Sequence, residues 1–281
     1  MNLWQTYRSL TDEQKRILKE KQLSTTKPVG ELLALLQPLA DYDRLGDRLR
    51  TRLGCTFAAA LVLGTIILLV AASKLGAVPL ALLALIIVAL AVFSGAGWRM
   101  TRGNDLSDNL RAFALPVLAL LREDIDRAQP MQIRLDLRAP LSPEKKIREL
   151  PPAAQGVYHK VIESHFVDPW FDASATLGDG SRLHWNVVDT IRERRKTKKT
   201  PRGKIKTKTK YAKKTEIDVA LAMKKKSYDV APVDDASIKD GANRNDIRLR
   251  RTVESSDLNA PDPKSLIDAL TAIYRSAVPA K

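Results

Sequence analysis

Thirteen basic side chains stand within 23 residues: Arg192, Arg194, Arg195, Lys196, Lys198, Lys199, Arg202, Lys204, Lys206, Lys208, Lys210, Lys213 and Lys214. Glu193 is the only acid among them, so this stretch carries +12 of the chain's formal +15. Lysine and arginine at this density repel one another, and a polyanionic counterpart relieves that repulsion. Three counterparts carry the required charge: anionic lipid headgroups, nucleic-acid phosphate and an acidic protein surface. Tyr211 is the only aromatic residue in the run. Stacking platforms for bases are therefore sparse, and phosphate contact is expected rather than base readout.

No comparable pattern points to catalysis or to a cofactor. Gly203-Lys204 with the later Thr207 misses the spacing of a phosphate-binding P-loop. His159, His165 and His184 are the only histidines and Cys55 the only cysteine. His159 and His165 are six apart on an expected helix and so fall on different faces, which makes no metal centre. Asp168, Asp172, Asp179 and Asp189 crowd around Trp170 and Trp185, but most are read as turn residues, and no pair is singled out for hydrolysis. The expectation is a non-enzymatic protein with no cofactor.

The elements that must position the basic run follow from alternation. Lys204, Lys206, Lys208 and Lys210 occupy one side of an expected strand and Ile205, Thr207, Thr209 and Tyr211 the other. Pro201-Arg202-Gly203 turns the chain before it, and Ile217, Val219 and Leu221 continue the alternation after it. A long ribbon results, basic over residues 192–214 and apolar at its base. Residues 170–177 and 182–191 should form a hairpin around Gly178-Asp179-Gly180-Ser181. Met131, Ile133, Leu135 and Leu137 mark another strand, residues 155–164 read as a helix, and residues 228–230 and 247–253 as short strands flanking a polar loop at 234–246. Pro263 opens a terminal amphipathic helix carrying Leu266, Ile267, Leu270, Ile273 and Tyr274.

Upstream the composition changes sharply. Of the 44 residues from 55 to 98, 34 are apolar and Lys74 is the only charge. Residues 55–73 and 75–98 each have the roughly 20 residues that a bilayer-crossing helix needs. They are joined by a Gly- and Pro-containing turn, Ser73 to Pro79. Arg44, Arg48, Arg50 and Arg52 precede the pair and Arg99 and Arg102 follow it, so both termini are expected in the cytoplasm. Ala60 with Gly64 and the cluster Ser94-Gly95-Ala96-Gly97 should pack the two spans on each other rather than on a second copy, though a homo-oligomer is left open. The nearby membrane puts anionic lipid ahead of nucleic acid as the counterpart.

On either side of the spans lie helical signals. Thr11 and Gln14 make a capping box for a helix over about residues 12–22. Leu32, Leu35, Leu39, Tyr42, Leu49 and Leu53 form one apolar seam, and Leu106, Leu110, Phe113, Val117, Leu121 and Ile125 form another. Paired as a coiled coil, these two helices would extend the hairpin about 30 Å into the cytoplasm.

The expected fold class is α+β. It comprises N-terminal helices (1–54), a two-span helical hairpin (55–98), a stalk helix (99–129) and a mainly antiparallel domain with the basic ribbon and a C-terminal amphipathic helix (130–281). The expected function is polyanion binding by a membrane-anchored protein. The alternative is a scaffold or accessory subunit of a membrane complex that holds protein partners through its leucine-rich stalk.

Overall fold

The computed structural model describes residues 3–72, 77–103, 105–126, 129–232 and 235–280. The expected turn residues Ser73, Lys74, Leu75 and Gly76, and Asp234 of the expected loop, lie outside that set. In chain order the helices and strands are α1 (Leu3–Ser9), α2 (Asp12–Glu20), β1 (Gln22–Lys27), α3 (Val29–Ala72), α4 (Ala77–Gly103), α5 (Leu115–Leu121), β2 (Met131–Asp136), β3 (Lys146–Gln155), β4 (Tyr158–Thr176), β5 (Arg182–Lys199), β6 (Ile205–Lys224), β7 (Tyr228–Val230), β8 (Ala236–Asp240), β9 (Arg244–Ser255), α6 (Lys264–Ser276) and β10 (Ala277–Pro279). A π-helical turn, Leu110–Ala114, leads into α5. The chain divides into two compact units, residues 1–19 with 37–106 and residues 20–36 with 107–281.

In the first unit, the capping box closes as its spacing demands. The Gln14 amide donates to Thr11 Oγ1 at 3.3 Å, and the Thr11 amide donates to Gln14 Oε1 at 2.9 Å. Beyond the cap, the most apolar windows of α3 and α4 have mean hydropathies of 2.5 and 2.7, and only 11% of each is buried. A core helix of a soluble domain would be covered; these present Leu61, Leu69, Leu82 and Phe93 outward. Both helices are long and apolar enough to cross a membrane. Small residues bring them together: a Cβ at Gly64 would collide with Ile87, Gly95 faces Phe57, and Gly97 sits against Leu53. Ala60, Ala91 and Ser94 are buried in the same seam.

The expected stalk partner of α3 does not form. Helix α4 ends at Gly103, and the apolar residues of 106–125 occupy short helical turns rather than a continuous helix of over twenty residues. Leu110, Phe113, Val117, Leu118 and Leu121 are buried, with the Phe113 ring 5.3 Å from Trp170 and 6.0 Å from Phe171. The heptad-like face therefore meets a sheet. Leu32, Leu35, Leu39 and Tyr42 of the other seam are likewise buried within the chain.

The second unit is built on an eight-stranded antiparallel sheet in the order β1-β2-β4-β5-β6-β9-β8, with β3 also pairing to β4. The N-terminal half of β4 holds β3 and its C-terminal half holds β2. The expected hairpin over residues 170–191 is present, with Thr176 opposite Arg182. The expected helix at 155–164 is instead the turn and strand that join β3 to β4, with Gly156 at φ +56°. Pairing with β5 decides this: residues 160–166 each face a β5 partner. Pro151 and Pro152 sit on an edge strand, β3, where a missing N–H costs nothing. Most of the expected loop at 234–246 is a hairpin, since β8 pairs with β9.

On one face of the sheet, Phe171, Leu183, Trp185, Val187, Ile191, Ile217, Val219, Leu221, Ile247 and Leu249 form the core. A register shift between Pro169 and Phe171 lets both Trp170 and Phe171 turn inward, where strict alternation would expose one. The amphipathic α6 covers β6 and β9 with Leu266, Leu270 and Ile273.

Candidate polyanion-binding ribbon

The basic residues are carried by the distal ends of β5 and β6, which pair without a break from Arg182↔Ala222 to Lys199↔Ile205. Threonine and glycine make the turn. The Gly203 amide donates to the Thr200 carbonyl at 2.9 Å, and the Lys204 amide donates to Thr200 Oγ1 at 3.1 Å. Gly203 supplies the φ of +76° that closes the hairpin.

Register then sorts the charges by face. Arg192, Arg194, Lys196 and Lys198 share one face with Lys206, Lys208 and Lys210, and three pairs stand directly opposite: Arg194↔Lys210, Lys196↔Lys208 and Lys198↔Lys206. Directly opposed side chains in an antiparallel pair are about 5 Å apart at Cβ, and like charges there destabilise the sheet. The only acid on this face of the distal ribbon is Glu163 of β4, whose carboxylate is 2.8 Å from Arg194 Nε. Arg195 and Lys199 lie on the opposite face with Thr197 and Thr207, whose hydroxyls are 3.2 Å apart. Arg202 and Lys204 are exposed at the turn. Lys204 precedes the strand, so Lys206, Lys208 and Lys210 keep the expected alternation without it.

One predicted site residue belongs elsewhere, and another stands at the foot of the cationic face. Lys214 is near the base, its ammonium 2.6 Å from Glu216. Lys213 points into the core; it donates to the Asn259 carbonyl and lies 3.7 Å from Asp189. Alternation explains the correction of Lys213, because neighbouring residues of a strand face opposite sides, and it leaves Lys214 on the cationic face. Sequence reasoning also missed Arg148, which β3 places beside His165 and Arg192 in one row of the cationic face. The sequence of its strand, Lys146–Gln155, has no apolar alternation to point to it.

The ribbon is rooted in a buried polar belt. Asp168 and Asp189, paired across β4 and β5, are both mid-strand and buried rather than turn residues. Lys145, with its side chain 3% exposed, reaches Asp168 at 2.8 Å and Asp136 at 3.5 Å. Thr215 Oγ1 donates to Asp189 Oδ1 at 2.5 Å. Burial pushes the Asp168 carboxyl up to about 6, against the pull of Lys145. Burial also raises Asp189, despite Thr215 and Lys213. Burial works against ionisation of Asp136 as well, but hydrogen bonds from Arg138 outweigh it and hold that carboxyl below its ordinary value.

The other candidate chemistry is not assembled. His159 and His165 lie on β4 and, six apart, on the same face of a strand, correcting their placement on a helix. His165 is 3.0 Å from Glu163, while His184 is on β5, 3.2 Å from Asp172. Asp179 serves the 178–181 turn by accepting the Ser181 amide at 2.7 Å.

Comparison with protein-family models, curated proteins and solved structures finds no match. The site's own geometry is the basis for reading its function.

Proposed function

We propose that this is a membrane-anchored, non-enzymatic protein whose basic β-ribbon binds a polyanion, either anionic lipid headgroups or nucleic-acid phosphate. One observation carries the reading: three directly opposed cationic pairs are held at sheet spacing on one face. A ladder keeps such charges together at a cost that a bound row of phosphates relieves. The apolar helices α3 and α4 supply the anchor, and the arginines flanking them support a cytoplasmic location for both termini. The nearby bilayer favours lipid over nucleic acid.

Replacing Lys196, Lys198, Lys206 and Lys208 together by glutamine tests this. The full chain should lose retention on heparin and on phosphatidylserine vesicles. The slope of log affinity against log salt should flatten by roughly three to four where all four contact phosphates. Unchanged retention and slope would refute the proposal.

A further inference from the structure

Two aliphatic side chains stand exposed at the far end of the ribbon, Ile205 on the face opposite Lys206, Lys208 and Lys210. Val157, in the turn between β3 and β4, is 75% exposed, and Ile205, at the turn between β5 and β6, is 70% exposed. Single exposed aliphatics are ordinary on a protein surface. These two are at the same end of the sheet. Lys160 pairs with Thr197, and Lys199 pairs with Ile205, so the two hairpins turn beside one another. Lys196 Nζ stands 5.3 Å above the ring of Tyr158, next to Val157. Around them are Lys160, Lys198, Lys199, Arg202, Lys204 and Lys206, and neither 156–162 nor 195–212 contains an acid.

We infer that the ribbon's polyanion is an anionic bilayer, and that Val157 and Ile205 enter it at the headgroup–acyl boundary while the surrounding lysines and arginines hold lipid phosphates. The inference rests on the polyanion reading above and adds the depth and the partner. Nucleic acid would reward cations and stacking rings but gives two aliphatic tips nothing to bury against. An interface with anionic lipid rewards both: apolar residues penetrate the acyl boundary, and basic residues meet the negative surface potential. Charge complementarity fixes the sign of the surface, and the two hairpin ends fix which part of the ribbon penetrates it.

The test uses the full chain held in phosphatidylcholine nanodiscs and sedimented with phosphatidylserine-containing vesicles. Val157→Ser combined with Ile205→Ser should weaken vesicle capture by roughly tenfold, since each tip residue loses part of its transfer free energy. Heparin binding should stay at the wild-type level, which also reports that the ribbon is folded. In a Cys55→Ser background, a fluorophore on Val157→Cys should shift to the blue with these vesicles and be quenched by lipid spin-labelled near the headgroup. Pure phosphatidylcholine vesicles should leave it unchanged. Wild-type vesicle capture by the serine variant, or no quenching, overturns tip insertion while heparin binding sustains the polyanion reading. Capture of an oligonucleotide without vesicle capture overturns the bilayer as partner. A wild-type chain that binds neither heparin nor vesicles overturns both readings.

Discussion

The base and the tip of the β5–β6 hairpin share one continuous hydrogen-bonded register, yet their side chains face different environments. At the base, Leu183, Trp185 and Val187 lie opposite Leu221, Val219 and Ile217 and are buried. At the tip the same strands carry opposed cations and exposed threonines. Backbone pairing therefore does not stop where the core stops. Between the two regimes lies the belt of Asp168, Asp189, Lys145 and Lys213, in which charge is buried and compensated, whereas Glu163 is the one acid that meets the cationic row. The contrast teaches that a charge's role in this sheet is set by its height along the strand and by its face: Lys213 and Lys214 are neighbours, yet one is core and the other is surface.

The contrast is broken most severely from within the belt. Lys145→Ala leaves the buried Asp168 carboxylate without its cation. Removing one partner of a buried pair destabilises by about 3 to 5 kcal/mol. The full chain in detergent should lose the near-ultraviolet dichroism of the buried Trp170 and Trp185 at a much lower temperature than wild type. Lys145→Met with Asp168→Asn should recover most of that loss, because the buried charge goes with its partner. A Lys145→Ala variant as stable as wild type would mean that the belt does not hold the ribbon's root.

A gentler perturbation is pH. The folded Asp168 carboxyl titrates at about 6 against 3.8 for the ordinary group, so the folded state binds this proton more tightly than the unfolded state does. Its contribution to stability therefore rises as pH falls through about 6 and is complete below 3.8. The raised carboxyl of Asp189 acts in the same direction. Asp136, held low, acts in the opposite sense and only in a more acidic window, where its stabilising ionised form is lost. Stability should increase on acidification across the first window by up to about 3 kcal/mol, at about 1.4 kcal/mol per unit, and the melting temperature should rise with it. Asp168→Asn should flatten that rise, and an equal rise in the variant would assign it to other groups.

Legibility in the sequence follows the same division between local pattern and distant partner. The ribbon was readable because Lys-x-Lys-x-Lys alternation and Pro201-Arg202-Gly203 are local signals, and so was the capping box of α2. The two apolar helices were readable from length and composition. What was hidden depended on partners remote in sequence. The period of Leu110, Phe113, Val117 and Leu121 is helical whichever surface it meets, and Trp170 and Phe171 decided the matter. Gln22–Lys27 has too little apolar alternation to announce a strand; β2 supplies its order. Residues 155–164 look locally helical, and the long β5 template overrides that preference. Lys145 gave no signal at all, since only the folded register brings it to Asp168.

The smallest expected change in stability occurs at the tip, and its sign is opposite to that at the root. Lys208→Glu places a carboxylate directly opposite Lys196, replacing a repulsive cross-strand pair by an attractive one. The side chain is exposed, so solvent screens the gain and the melting temperature should rise only slightly. Binding should move the other way. One cation is lost from the row proposed to meet the polyanion and an anion is added, so the salt slope should flatten by roughly one to two, with weaker retention on heparin. A more stable protein that binds less well is the signature expected of a charge kept for its ligand. If Lys208→Glu instead lowers the melting temperature and leaves retention intact, the lysine row stabilises the sheet by some contact of its own, and the opposed pairs lose their standing as the observation on which polyanion binding rests.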